Sequence, residues 1–178
     1  MQDVFIEYMV KAQRTLKTAL LKVLILLGGA ILAIVLMSLS GFLGAFSVLG
    51  VAAAVGSAYG AYFLFTSMNV EYEYAITNGE MDVDKIVAQR KRKRLCTVRW
   101  REVETFGKYV PSEHADKRYE NKIMACDSPN NPELWYCTVR VPNKGMVFLV
   151  FNASEKMLEA IKKFLPKPIL HAVFSNRG

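Results

Sequence analysis

Val70-Glu71-Tyr72-Glu73-Tyr74-Ala75-Ile76-Thr77-Asn78-Gly79-Glu80-Met81-Asp82-Val83-Asp84-Lys85-Ile86-Val87 is the stretch that decides how this chain folds. Polar and apolar residues alternate on both sides of Asn78-Gly79, the period of two that marks strands with one buried face. Asn and Gly tolerate the positive φ angles of a type I′ turn, whose twist suits a two-stranded ribbon. The stretch predicts strand, tight turn, strand. Further strands are predicted over 92–99, 102–109, 121–127, 134–141 and 145–151, separated by polar or Pro/Gly-containing segments, giving about seven in all. Asn152-Ala153-Ser154-Glu155 then reads as a capping box with Asn152 as the cap. The helix it opens carries Met157, Leu158, Ile161, Phe164 and Leu165 on one stripe and stops at Pro166. Residues 67–165 are thus expected to form a mainly-β domain, a small barrel or sandwich of antiparallel strands capped by an amphipathic helix, with 166–178 an irregular tail. Its core is expected from Tyr72, Tyr74, Ile76, Val147, Leu149 and Phe151, with Leu134, Tyr136 and Thr138 or Trp135, Cys137 and Val139 on the two faces of another strand. For Trp135, exposure on a partner groove competes with packing.

N-terminal to this domain the pattern changes completely. The 48 residues between Lys22 and Glu71 contain no Asp, Glu, Lys or Arg, more than twice the roughly 20 apolar residues that cross a bilayer as a helix. That excludes a purely soluble protein. Met37-Ser38-Leu39-Ser40-Gly41 breaks the run, so 20–66 is predicted to be a two-helix transmembrane hairpin, with spans of about 20–37 and about 42 or 44 to 65. A cleaved signal peptide fits poorly, because the first apolar run is too long and a second follows at once. Lys11, Arg14, Lys17 and Lys22 precede the first span, the link carries no charge, and more basic residues follow the second. Both termini are expected on the cytoplasmic side of a bacterial cell membrane. Gly56 and Gly60, with Ala52 one turn earlier, form a small-residue stripe, and Gly29 with Ala33 a counterpart. These residues are expected to pack helices, closing the hairpin or forming a homodimer. Residues 1–19, with Val4, Phe5, Tyr8, Met9, Ala12, Leu16 and Ala19 at spacings of three and four, predict an amphipathic interfacial helix.

Two closely spaced spans followed by Tyr72-Glu73-Tyr74-Ala75-Ile76-Thr77-Asn78-Gly79-Glu80-Met81-Asp82-Val83-Asp84 resemble the bacterial pleckstrin-homology-like membrane proteins, whose domain opens with an aromatic-x-Ile/Leu-Thr-Asn hairpin. The resemblance covers roughly 20–165 and implies a pleckstrin-homology-like fold for the β domain. The continuation Lys85-Ile86-Val87-Ala88-Gln89-Arg90-Lys91-Arg92-Lys93-Arg94 is similar to an uncharacterised family of small Firmicute two-span membrane proteins, which brings no known activity. The second strand departs from many such hairpins in lacking a basic-Gly end.

The densest charge feature is Lys85, Arg90, Lys91, Arg92, Lys93, Arg94, Arg99 and Arg101, a run with no acid among them. Near an anionic leaflet each Lys or Arg gains about 1 kcal/mol within a Debye length of about 8 Å. Binding of anionic lipid headgroups or a protein partner competes here with a topological role and with neutralisation by Glu80, Asp82 and Asp84 across the hairpin. Nucleic acid is a weaker reading that rests on Trp100 and Tyr109 nearby.

Signatures of chemistry are lacking. His114 and His171 show no spacing that suggests metal ligands or a general base and read as surface residues; Cys96, Cys126 and Cys137 form no CxxC and read as free thiols in the core. Asp82 and Asp84 alternate on one strand face, as solvent-facing acids do. No nucleotide or nucleophile motif occurs, and neither span carries an ionisable residue. No catalytic residue, cofactor or metal is expected. The reading is a membrane-anchored, non-enzymatic scaffold or adaptor at the cytoplasmic face, with an accessory subunit of a membrane transport or enzyme complex as the competing reading.

Overall fold

The computed structural model describes residues 5–13, 15–114, 118–142 and 144–175. The chain forms two compact units, and the division is not sequential: Arg14–Asn69 makes one, while the residues before and after it together make the other.

The helical unit is a hairpin of α1 (Leu16–Ser40) and α2 (Ser47–Ser67), joined by a 3₁₀ turn over Gly41–Phe46 in which Gly44 takes φ +54°. Thr15 caps α1 by accepting from the Thr18 amide. Both helices are long and apolar enough to cross a membrane. Where they meet, small residues permit close approach: a Cβ on Gly29 would collide with the Ala61 Cβ. At the open end of the hairpin the buried Lys22 donates to Asn69 Oδ1 at 2.6 Å and lies over the Phe65 ring.

Only part of the predicted small-residue stripe lies where the two helices of the hairpin meet. Gly29 and Ala33 lie on the covered side of α1, but Cβ atoms on Gly56 and Gly60 would meet nothing within 4 Å, and Ala52 is exposed. The covered side of α2 instead carries Gly50, Ala54, Ser57 and Ala61, a second small-residue series about one residue out of register.

The β unit holds β1 (Phe5–Lys11), β2 (Val70–Thr77), β3 (Glu80–Val87), β4 (Lys91–Arg99), β5 (Val103–Lys108), β6 (Asn121–Ala125), β7 (Leu134–Val141) and β8 (Gly145–Asn152), then α3 (Glu155–Lys162) and α4 (Lys167–Phe174). One sheet runs β1-β2-β3-β4 and the other β5-β7-β8-β6. The hairpin at Asn78-Gly79 has the expected geometry, with φ of 48° and 94°. β2 and β3 pair from Thr77↔Glu80 to Val70↔Val87.

Several expectations need correction. The segment read as an interfacial helix over 1–19 contains β1, antiparallel to β2 from Phe5↔Thr77 to Lys11↔Glu71; Val4, named in that helical pattern, lies outside the described residues. Tyr8 and Val10 of β1 face the core, while Phe5 and Met9 are exposed. Strands therefore number eight among the described residues, and β6 runs parallel to β8 rather than antiparallel. Ser154, not Asn152, caps α3, accepting from the Met157 amide; Asn152 ends β8. The tail read as irregular contains α4, whose Phe174 stacks on Trp135 at 5.9 Å between centroids.

The main core lies between the sheets and under α3. Tyr74, Ile76, Met81, Val83, Val98 and Trp100 from the first sheet meet Cys137, Val139, Leu149 and Phe151 from the second, with Met157, Ile161 and Leu165 closing one end. The second sheet is covered on both faces, because Leu134, Phe148 and Val150 point the other way and pack with Tyr109 and Cys126.

Candidate functional site

The basic run occupies the end of β3, the β3–β4 turn, all of β4 and the first residues beyond it. Strand alternation sorts its side chains onto two faces. On the outer face, β2 and β3 present Glu71, Glu73, Asp84 and Asp82, and the arginines of β4 stand opposite. Arg92 bonds Glu73 and reaches Asp84 at 3.3 Å; Arg94 bonds Asp84 and reaches Asp82 at 2.7 Å. The Glu73 and Asp84 side chains retain only 8% and 7% exposure, so each burial of charge is matched by a guanidinium. The Asp84 hydrogen bond, against a desolvation effect that acts the other way, raises the affinity of Arg94 for its proton. At the far end of β4, Arg99 bridges Glu80 and Glu102 at 3.1 and 3.5 Å. Lys11 on β1 sits 3.6 Å from Glu71. Arg92, Arg94 and Arg99 are thus part of a charge lattice that ties β4 to the sheet. Asp82 and Asp84, read above as solvent-facing acids, are engaged by arginine.

The remaining members are arranged differently. Lys85 and Lys93 are direct cross-strand partners, in a row with Tyr72 and Val10 on the inner face of the sheet. Two like charges placed opposite one another are unfavourable. Neither has an ion pair among the described residues, and the same holds for Lys91 and Arg101. Arg90 and Lys91 follow Ala88 and Gln89, both of which hold positive φ (54° and 56°) in a turn closed by the Arg90 amide on Val87 O at 3.1 Å. Non-glycine residues in this region carry backbone strain. Bulge formation at Leu95, between the Val83↔Cys96 and Asp84↔Arg94 pairs, keeps Arg94 on the acid-bearing face and Lys93 off it.

Register places this cluster at one end of the sheet. Val70 pairs with Val87, Val87 with Lys91, and Lys11 with Glu71, so the β3–β4 turn shares its end with the last residue of β1 and the first of β2. Those are the two points where the chain leaves for α1 and returns from α2. The family described as Bacterial PH-like domain (DUF6106) matches residues 2–171. The chain belongs to this family. In this bacterial PH-like domain the matched region begins before β1 and takes in the apolar hairpin between β1 and β2. No curated protein and no solved structure matches the chain significantly.

Other candidate residues of the PH-like domain are structural. Trp100 is fully buried and Tyr109 nearly so, leaving the nucleic-acid reading without its aromatic surface. Trp135 is buried under Phe174 and Phe106, which removes the partner-groove reading. The three cysteines are buried free thiols; desolvation pushes Cys96 and Cys126 up to about 11 and raises Cys137 as well, so they are poor nucleophiles. His171 is exposed on α4. His114, read as a surface residue, is buried, with Nδ1 2.7 Å from the Tyr119 hydroxyl and its ring among Tyr109, Tyr136 and Phe148.

One polar cluster had no signal in the sequence. Asp127 accepts from Asn152 Nδ2 at 2.8 Å, from Asn131 Nδ2 at 2.9 Å and from the Ser128 amide at 2.7 Å. Gln13 adds its amide to the Asp127 carbonyl at 2.8 Å, joining the end of β1 to the loop after β6. Burial acts to raise the Asp127 pKa, but the hydrogen bonds from Asn152, Asn131 and Ser128 outweigh it and hold the carboxyl below its ordinary range.

Proposed function

We propose that this protein is a membrane-anchored, non-enzymatic PH-like module whose β domain rests on anionic lipid at the cytoplasmic face of its own membrane. The observation that carries the reading is the Lys85–Lys93 pair, two like charges held opposite each other without an acid, beside Arg90 and Lys91 on a strained turn. An anionic headgroup relieves that repulsion, and each cation near the surface contributes about 1 kcal/mol. Location supports it: the cluster sits at the sheet end from which both links to the apolar helices depart. Orientation rests on the basic flanks Lys11, Arg14, Lys17 and Lys22 against an uncharged α1–α2 turn.

The test is hydrogen exchange on the full chain in phosphatidylcholine nanodiscs, with and without phosphatidylglycerol. The expected result is slower exchange over 85–93 only when anionic lipid is present, weakening as salt rises and lost when Lys85, Arg90, Lys91 and Lys93 are changed to Gln. Identical exchange in both lipids rejects the reading.

A further inference from the structure

A second cluster of cations lies away from the Lys85–Lys93 row and draws on both sheets. A cleft of about 420 Å³ is walled on one side by Arg94, Leu95 and Arg99 of β4, and on the other by Arg140 and Lys144 from the end of β7 and the turn that follows. Glu102 is the sole acid in the lining and already accepts from Arg99. Arg140 is exposed and has no ion pair among the described residues. Lys144 reaches across to β4 and donates to the carbonyl of Leu95, the bulge residue.

That contact shows what the wall offers. Among the described residues β4 is bonded to β3 alone and ends its sheet, so no strand pairs with its outer row of N–H and C=O groups. Lys144 occupies one of those acceptors with a side-chain donor. Charged residues on an edge strand also serve to repel unwanted pairing, and Lys91 to Arg94 fit that role. Arg140 and Lys144 do not, because they come from the other sheet and converge on the cleft from the opposite side. The combination disfavours basic strands and favours acidic ones.

We propose that this cleft docks an extended acidic segment of a partner protein, which adds to the edge of β4 as a strand and places its carboxylates on Arg140 and Lys144. Backbone pairing along β4 supplies affinity, and the two cations select the sequence. Arrival of a carboxylate draws Lys144 from the Leu95 carbonyl, freeing that acceptor for the incoming backbone. Pairing confined to 95–99, beside the cleft, leaves Lys85 and Lys93 outside the site, so the module holds membrane and protein at once.

The test uses the full chain in phosphatidylcholine nanodiscs and a fluorescein-labelled peptide, Glu-Val-Glu-Val-Glu-Val-Glu, read by anisotropy. Saturable binding is expected, weakened about tenfold by Arg140→Ala and by Lys144→Ala, restored by Arg140→Lys, and abolished when alternate peptide nitrogens are methylated so that pairing fails. Changing Lys85 and Arg90, which lie outside β4, to Gln is expected to leave it within about twofold. That separates this site from the lipid reading. No saturable binding, equal binding of the methylated peptide, indifference to both alanine variants, or displacement of the peptide by phosphatidylglycerol vesicles each overturns the proposal; the last assigns the cleft to lipid.

Discussion

Ala88 and Gln89 occupy the two left-handed positions of the β3–β4 turn, where Asn78 and Gly79 occupy the equivalent positions of the β2–β3 turn. A left-handed conformation costs an L-residue roughly 1–2 kcal/mol. Replacing Ala88→Asn and Gln89→Gly together is therefore expected to stabilise the β domain by about 1–2 kcal/mol, read as a higher denaturant midpoint with unchanged slope. Asp127 gives a pH signature. Its folded-state pKa lies below that of the unfolded chain, so the stability it contributes is present above the ordinary carboxylate range near pH 4 and is lost as pH falls through the lower folded value. Acid unfolding followed by tryptophan fluorescence is expected to be shallower for Asp127→Asn than for the parent protein over about pH 5 to 2. Neither residue was legible beforehand. A positive φ at Ala88 leaves no trace in composition, and the partners of Asp127 come from β8 and from beyond β1, joined only by the fold.

At the scale of elements, what the sequence revealed depended on how local each partner was. β2, β3 and their turn were readable because the pairing residues are neighbours in the chain, and β7, β8 and α3 for the same reason. β1 was not. Its partner β2 lies beyond the whole apolar hairpin, and because it exposes Phe5 and Met9 while burying Val10, its apolar residues fall at three- and four-residue spacings that imitate a helix. The strand assignment makes a specific prediction: Val10→Asp is expected to cost about 2–4 kcal/mol, whereas Met9→Asp changes stability by under about 0.5 kcal/mol, both measured by chemical unfolding. The helices yield a parallel contrast. α2 carries two interleaved small-residue stripes, and composition alone could not choose between them; contact with Gly29 selects Ala61 and leaves Gly56 and Gly60 facing open space. Gly29→Leu is expected to lower the thermal midpoint of the hairpin in detergent clearly, and Gly56→Leu to leave it nearly unchanged.

Across the whole molecule, charge divides into three jobs that the linear run conceals. Arg92, Arg94 and Arg99 neutralise buried or half-buried acids, Lys85 and Lys93 confront each other at the sheet end nearest the links to the helices, and Arg140 with Lys144 faces the edge of β4. The run was visible as a block of charge, but only cross-strand register shows which cations are already committed, since alternate residues of β4 point to opposite faces. Substituting Arg92 by Gln is accordingly expected to destabilise the domain by about 2 kcal/mol, because it leaves the buried Glu73 without its guanidinium; Arg94→Gln costs less, since Arg92 still reaches Asp84, and Lys91→Gln is stability-neutral. The claim on which the rest depends is that one PH-like domain is interrupted by the apolar hairpin, so that β1 returns to the same sheet as β2. Glu7 and Ala75 are direct partners in that pairing, and opposed residues in antiparallel strands lie within the span of a disulfide. Oxidative cross-linking of Glu7→Cys with Ala75→Cys in native membranes is the most direct measurement. The account predicts a rapid intramolecular disulfide, shielded from a membrane-impermeant thiol reagent in intact cells. Failure to cross-link, with the two introduced thiols labelled independently or from outside the cell, would contradict it.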